Sequence, residues 1–218
     1  MRHWIMVRRF FIPILAISLN ASCSPSESID NDVQSSSLVT SSSFETYKAQ
    51  IRDGDIIFRG RDAGWGNLGA QLSDIDKRYG HVGVIRRRGN NLHVIHAAGD
   101  PLQDHGRVRE DSLDDFLTRS NRSGLYRLTF TPEQRQIFDD YIDQVLQAGM
   151  PFDTAYSLDS LDALYCTELI WRGWMAAIDR DPILEKTEWR GKNVLALDDL
   201  QLAQGMGFVS EISAQKTP

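Results

Sequence analysis

Cysteine is scarce in this chain of 218 residues: there are two, Cys23 and Cys166. So few thiols exclude a disulfide-stapled scaffold, which needs several bridges to stand in for a core. Basic residues are also short, 24 against 30 acidic ones, for a net charge of −6. Nucleic acid asks for a basic face toward its phosphates, so this balance argues against such a partner. It equally supplies no electrostatic attraction to anionic lipids. The apolar run Phe10 to Leu19 has ten residues, about half of what a helix needs to cross a bilayer. No internal repeat is visible.

What is there begins with a targeting segment, kept apart from fold reasoning. Arg2, Arg8 and Arg9 form a basic start, the apolar run follows, and Asn20-Ala21-Ser22-Cys23 closes it. Small residues before a cysteine at that place resemble a bacterial lipoprotein signal, although Asn20 stands where leucine is usual. We therefore expect residues 1–23 to be a signal peptide with Cys23 lipidated. The alternative is ordinary cleavage near Ala21-Ser22, which releases a soluble exported protein. Residues 24–43, serine-rich and poor in aromatics, are expected to be a disordered tether. A flexible coil of that length spans on the order of 25 Å. Residues 44–218 suffice for one domain with its own core.

In that domain a short helix is expected over Phe44 to Ile51 and a first strand over Asp55 to Arg59. Two strands follow, Gly80 to Ile85 and Leu92 to Ala97, joined by the turn Gly89-Asn90-Asn91. Arg107 to Arg109 suggests a short strand, Ser112 to Arg119 a helix, and Leu125 to Phe130 another strand. Thr131-Pro132-Glu133-Gln134 combines an N-cap, a first-turn proline and a capping box, so a helix should run to about Gln147. A further helix opens at Cys166, with Ser160 or Asp162 as its cap. Its apolar face carries Cys166, Leu169, Ile170, Gly173, Trp174, Ala177 and Ile178. The chain beyond Ile178 reads as irregular up to a last strand at Gly207 to Ile212. Without regular βαβ alternation the fold class is α+β.

If Cys23 is taken by a lipid, Cys166 is a lone thiol at a helix N-terminus, where the helix dipole favours a thiolate. A cysteine nucleophile needs a base and a group to orient that base. Of five histidines, His3 falls in the signal and His105 in an exposed-looking loop. His81 opens an apolar strand, where a buried ring requires a polar partner; a core histidine bonded to a carbonyl is the plain alternative. His93 and His96 point to opposite faces of one strand, which weakens a zinc site. Gly64-Trp65-Gly66-Asn67-Leu68-Gly69 fits the dinucleotide pattern G-x-G-x-x-G. Arg86-Arg87-Arg88, rather than an acid, ends the next strand, and no further βαβ unit follows. No cofactor or metal is expected.

Four blocks together, Gly54 to Arg59, Gly80 to Ile85, Val94 to Ala97 and Tyr165 to Ile170, resemble the YiiX/YebB-like cysteine hydrolases. These are circularly permuted relatives of the papain-fold NlpC peptidases. The likeness runs from Arg52 to Trp171 and implies a sheet packed against the nucleophile helix. It implies Cys166 as nucleophile, His81 as general base and His96 as the orienting third residue, where many relatives have Glu; His93 is the reserve. Asp55, Tyr79 and Tyr165 offer polar contacts without an assigned role. The expected function is an exported, lipid-anchored hydrolase of an amide, such as a peptidoglycan peptide, acting in the bacterial cell envelope. The alternatives are a lipid acyltransferase or esterase, or a non-catalytic binding domain on the same fold.

Overall fold

The structure, a computed structural model, describes residues 43–60, 71–99, 106–118 and 120–213. The signal segment, Cys23, the glycine-rich segment 64–69 and His105 lie outside the described residues, as does the tether apart from Ser43, which is already helical. Helix α1 covers residues 43–49. Among the described residues, apart from a helical end at residues 71–72, eight strands and four more helices follow in chain order. The strands are β1 (Ile56–Gly60), β2 (Tyr79–Arg88), β3 (Asn91–Ala98), β4 (Arg107–Ser112), β5 (Arg122–Leu128), β6 (Thr187–Trp189), β7 (Lys192–Val194) and β8 (Met206–Ser213). The helices are α2 (Leu113–Leu117), α3 (Pro132–Gln147), α4 (Cys166–Ile178) and α5 (Leu197–Leu202).

Six strands form one antiparallel sheet in the order β4-β3-β2-β1-β5-β8, and β6 and β7 make a separate hairpin. Alternation along each strand sends apolar residues to both faces, so the sheet is the middle layer of three. One face carries Ile56, Phe58, Val84 and Ile95 against Phe138, Ile142, Leu169, Ile170 and Leu197 of α3, α4 and α5. The other carries Ile57, Ile85, Val94 and Leu125 against Tyr47, Ile51, Leu113 and Phe116. Leu169 and Ile170 are fully buried, and burial of such side chains stabilises by about 1.5–3 kcal/mol each.

Local chemistry explains most of the boundaries. Gly89, at φ 61, takes the first place of the two-residue β2–β3 turn, a position that favours glycine. Thr131 Oγ1 accepts from the Gln134 N–H at 3.3 Å while Gln134 Oε1 accepts from the Thr131 N–H at 3.0 Å, the expected capping box of α3. The expected cap of α4 is corrected: Tyr165, not Ser160 or Asp162, is the N-cap. The tyrosine hydroxyl is turned away to accept from the Leu195 N–H at 2.8 Å. Residues beyond Ile178 are also more regular than expected, because β6, β7 and α5 lie there.

Candidate active site

The site is built around a place where two strands part. The β2–β3 ladder ends at Val84↔Ile95, whereas β3 stays paired with β4 as far as Ala98↔Arg107. Ile85 exchanges its N–H and C=O with Asp55 and Gly54 on the β1 side. By the two-residue period, the Val82 N–H therefore faces the parting, where no strand accepts it. Cys166 Sγ fills that vacancy and accepts from Val82 N–H, with the Thr167 and Cys166 N–H groups also directed at it.

The start of α4 is clasped at that point by the chain between β7 and α5. Leu195 donates its N–H to Tyr165 Oη at 2.8 Å and accepts from Thr167 Oγ1 at 2.6 Å, so both neighbours of Cys166 are tied to one residue. Glu168, buried on the first turn, is paired with Arg172 at 2.6 Å. Arg172 also donates to the carbonyls of Leu158 and Ser160, fixing the loop that leads into the helix. Burial pushes the Glu168 carboxyl up to about 7 against the pull of Arg172.

His81 reaches the parting through a bulge. Arg59 pairs with His81 but Gly60 with Tyr79, so Gly80 is an extra residue on β2. Tyr79 packs with the α4 side of the sheet, while the His81 ring lies beside Phe116 at 5.7 Å between centroids. His81 Nε2 is 2.8 Å from His96 Nδ1, and His96 Nε2 is 2.9 Å from Asp111 Oδ2. Close strand approach makes this possible: a Cβ on Gly83 would lie 2.5 Å from Val94 Cγ1 and 2.9 Å from the Ile95 carbonyl.

Burial disfavours charge on both rings and on the thiol. Burial lowers the His81 ring well below its usual value, helped by His96, Arg59 and Arg109. Burial lowers His96 too, against the opposing bond to Asp111. The hydrogen bond from His96 keeps the Asp111 carboxyl below its usual range. Burial pushes the Cys166 thiol up to about 11, outweighing the three N–H groups and the Arg59 charge. The expected low-pKa thiolate is thus corrected, because desolvation of the anion exceeds the stabilisation the helix start provides.

Of the residues singled out from the sequence, Cys166 Sγ accepts from the N–H of Val82, the residue after His81 on β2, and His96 joins His81 directly. His93 does not: it points to Glu110, 3.4 Å away, on the surface. Asp55 is committed to Arg127 at 2.6 Å, and the Tyr79 hydroxyl to Glu211. Sequence reasoning missed Asp111 and Arg109, which β4 delivers by pairing Arg109 opposite His96. Their alternating R-x-R-x-D pattern was visible, but only the register connects it to a histidine. It also missed Tyr156, held at φ 52 between two backbone bonds to Asp153 and packed on Tyr165 at 5.1 Å.

The family of permuted papain-like amidases, YaeF/YiiX, C92, has a model that matches residues 50–202. The chain belongs to this family. It is therefore a cysteine hydrolase of the amidase type, with the α+β permuted papain-like fold. A solved structure, the metalloprotein YiiX from Escherichia coli O157:H7, aligns with TM-score 0.59 at 20% identity, covering 75% of this chain and 99% of that one. At that identity the likeness bears on the fold. No curated protein sequence matches the chain.

Proposed function

We propose that Cys166 is the nucleophile of this amidase, His81 its general base and His96 the residue that orients the base. The observation carrying this reading is the 2.8 Å bond from His81 to His96 at the parting of β2 and β3 where Sγ is bonded. His96 engages Nε2 of His81, leaving Nδ1 for the thiol. The thiol gives its proton to Nδ1 as sulfur attacks the carbonyl carbon, so neither charge exists until the reaction creates both. Backbone N–H groups of Val82, Cys166 and Thr167, gathered at this point, suit the developing oxyanion. His81 then returns the proton to the leaving nitrogen, the C–N bond breaks, and water hydrolyses the thioester with His81 again as base.

The substrate proposed is an amide of the bacterial cell envelope, such as a peptidoglycan peptide, with a lipid ester or amide as the second choice. Lipidation of Cys23 would hold the domain at a membrane through the serine-rich tether. Radiolabelled palmitate should enter the wild-type chain and not Cys23→Ala; equal labelling of both would end that reading. Among the described residues no group of three or more His, Cys, Asp or Glu side chains is disposed to hold a metal ion. The decisive experiment follows the burst of p-nitrophenol from p-nitrophenyl acetate. Cys166→Ala should abolish the burst, and His81→Ala should slow acylation by about 10²–10⁴-fold. A burst unaffected by Cys166→Ala would sink the assignment. Mass spectrometry of peptidoglycan fragments and phospholipids after incubation then decides the substrate.

A further inference from the structure

We propose that Asp111 is a positioning residue that sets the proton direction of the whole relay, so that His81 presents a bare Nδ1 to Cys166. The inference rests on the nucleophile and base assigned above. It follows from what each atom in the chain of bonds is able to do. Asp111 is ionised, and a carboxylate only accepts hydrogen bonds. At 2.9 Å from Asp111 Oδ2, His96 Nε2 must therefore carry the proton. A neutral imidazole has one N–H, so His96 Nδ1 is then a lone pair and also only accepts. The partner 2.8 Å away, His81 Nε2, must in turn carry its proton. Neutral His81 is thereby left with an unprotonated Nδ1, the form able to take a proton.

Without the carboxylate the same two rings have a second arrangement. His96 would carry its proton on Nδ1, His81 would accept at Nε2, and His81 Nδ1 would hold a proton and fail as a base. The two arrangements keep every ring in place and differ only in proton positions, so the ring geometry does not choose between them. Asp111 does. Its own placement is over-determined: Arg109 donates to the same Oδ2 from Nε at 3.2 Å and from a terminal nitrogen at 3.1 Å. The other groups facing the rings are Arg59 from β1, the Phe116 ring from α2 and the Arg109 charge from β4. Both guanidiniums disfavour a cationic His96, and a cationic His96 would be the one state that breaks the logic. During attack, the imidazolium formed at His81 has its Nε2–H directed at His96 Nδ1, two hydrogen bonds from the Asp111 carboxylate.

The test is side-chain ¹⁵N NMR of the full chain at neutral pH, alongside the acylation burst with p-nitrophenyl acetate. Wild-type protein should show His96 protonated at Nε2 and His81 at Nε2, each as a single form. Asp111→Leu, which keeps volume but accepts nothing, should give mixed or reversed forms at both rings and acylation slower by about 10²-fold, with KM little changed. Asp111→Glu should restore the single form and much of the rate. A folded Asp111→Leu protein with wild-type proton positions and wild-type acylation would overturn the inference. So would a wild-type spectrum with the proton on His81 Nδ1. Because the spectrum is read independently of turnover, a burst that survives Cys166→Ala would defeat the catalytic assignment while leaving the direction of the relay decided by its own measurement.

Discussion

At Cys166 two opposing effects act on one sulfur atom, and their balance sets how the residue behaves. Backbone N–H groups and Arg59 favour the thiolate, but removal from water disfavours it more, and the thiol is pushed up to about 11 from 9.0. Iodoacetamide should therefore react slowly at neutral pH, at a rate that keeps rising until about pH 11; the 8% exposure of the residue still admits a small reagent. A rate that levels off below pH 8 would show the thiolate to be the resting form. The same shift links to stability. The folded chain holds this proton more tightly than the unfolded one, so the contribution is complete below pH 9 and is lost as the pH rises through 11. At this scale the sequence singled out His81 and His96, which the structure bonds to each other at 2.8 Å, and Cys166, whose sulfur takes the N–H of Val82, since each is a chemically rare residue in a short, recognisable string. Asp111 was hidden, because one aspartate among many has no local mark.

The elements hold the site through two close contacts, one in the sheet and one on the helix. Gly83 lets β2 and β3 approach just before they part. In Gly83→Ala the added carbon meets a backbone carbonyl at 2.9 Å, so the strands must separate, at a cost of about 1–3 kcal/mol. Chemical denaturation should register that loss, and the His81–His96 bond should lengthen with it; unchanged stability would mean that the strands have slack. Arg172→Ala removes the partner of the buried Glu168 and frees the carbonyls of Leu158 and Ser160. Breaking a buried pair from one side costs about 3–5 kcal/mol. Loss should be smaller at pH below the value of about 7 assigned to the Glu168 carboxyl, where that group takes a proton. Equal losses at pH 5 and pH 8 would count against the carboxylate as the source. The helices α3 and α4 were legible from capping and from a 3.6-residue apolar face. The bulge at Gly80 was not, because one additional residue in a strand changes nothing in its composition, yet it decides the face His81 takes.

On the scale of the molecule, the family match ends at residue 202, but the sheet does not. Strand β8 completes the edge beside β5, and its Glu211 gathers Arg78, Arg122 and the Tyr79 hydroxyl. Ending the chain after residue 205 should therefore uncover β5 and lower the melting temperature by about 10 °C or more. A melting temperature within about 2 °C of the full chain would make β8 dispensable. Helix α1 plays the matching part on the second face, where the Tyr47 hydroxyl is 2.7 Å from Ser123 Oγ.

The sequence alone determined what depends on neighbours along the chain: the α+β class, the capping box of α3, the β2–β3 turn, a thiol at a helix start and the histidine strand before it. Local propensity and periodicity act over a few residues, so they can be read in order. Tertiary structure decided what depends on register and dielectric. Pairing of β3 with β4 brought Asp111 to His96, and the parting of β2 from β3 left one N–H for the thiol to accept. Burial, a property of the whole packed molecule, then disfavours the Cys166 thiolate, where the helix start by itself argued for an anion.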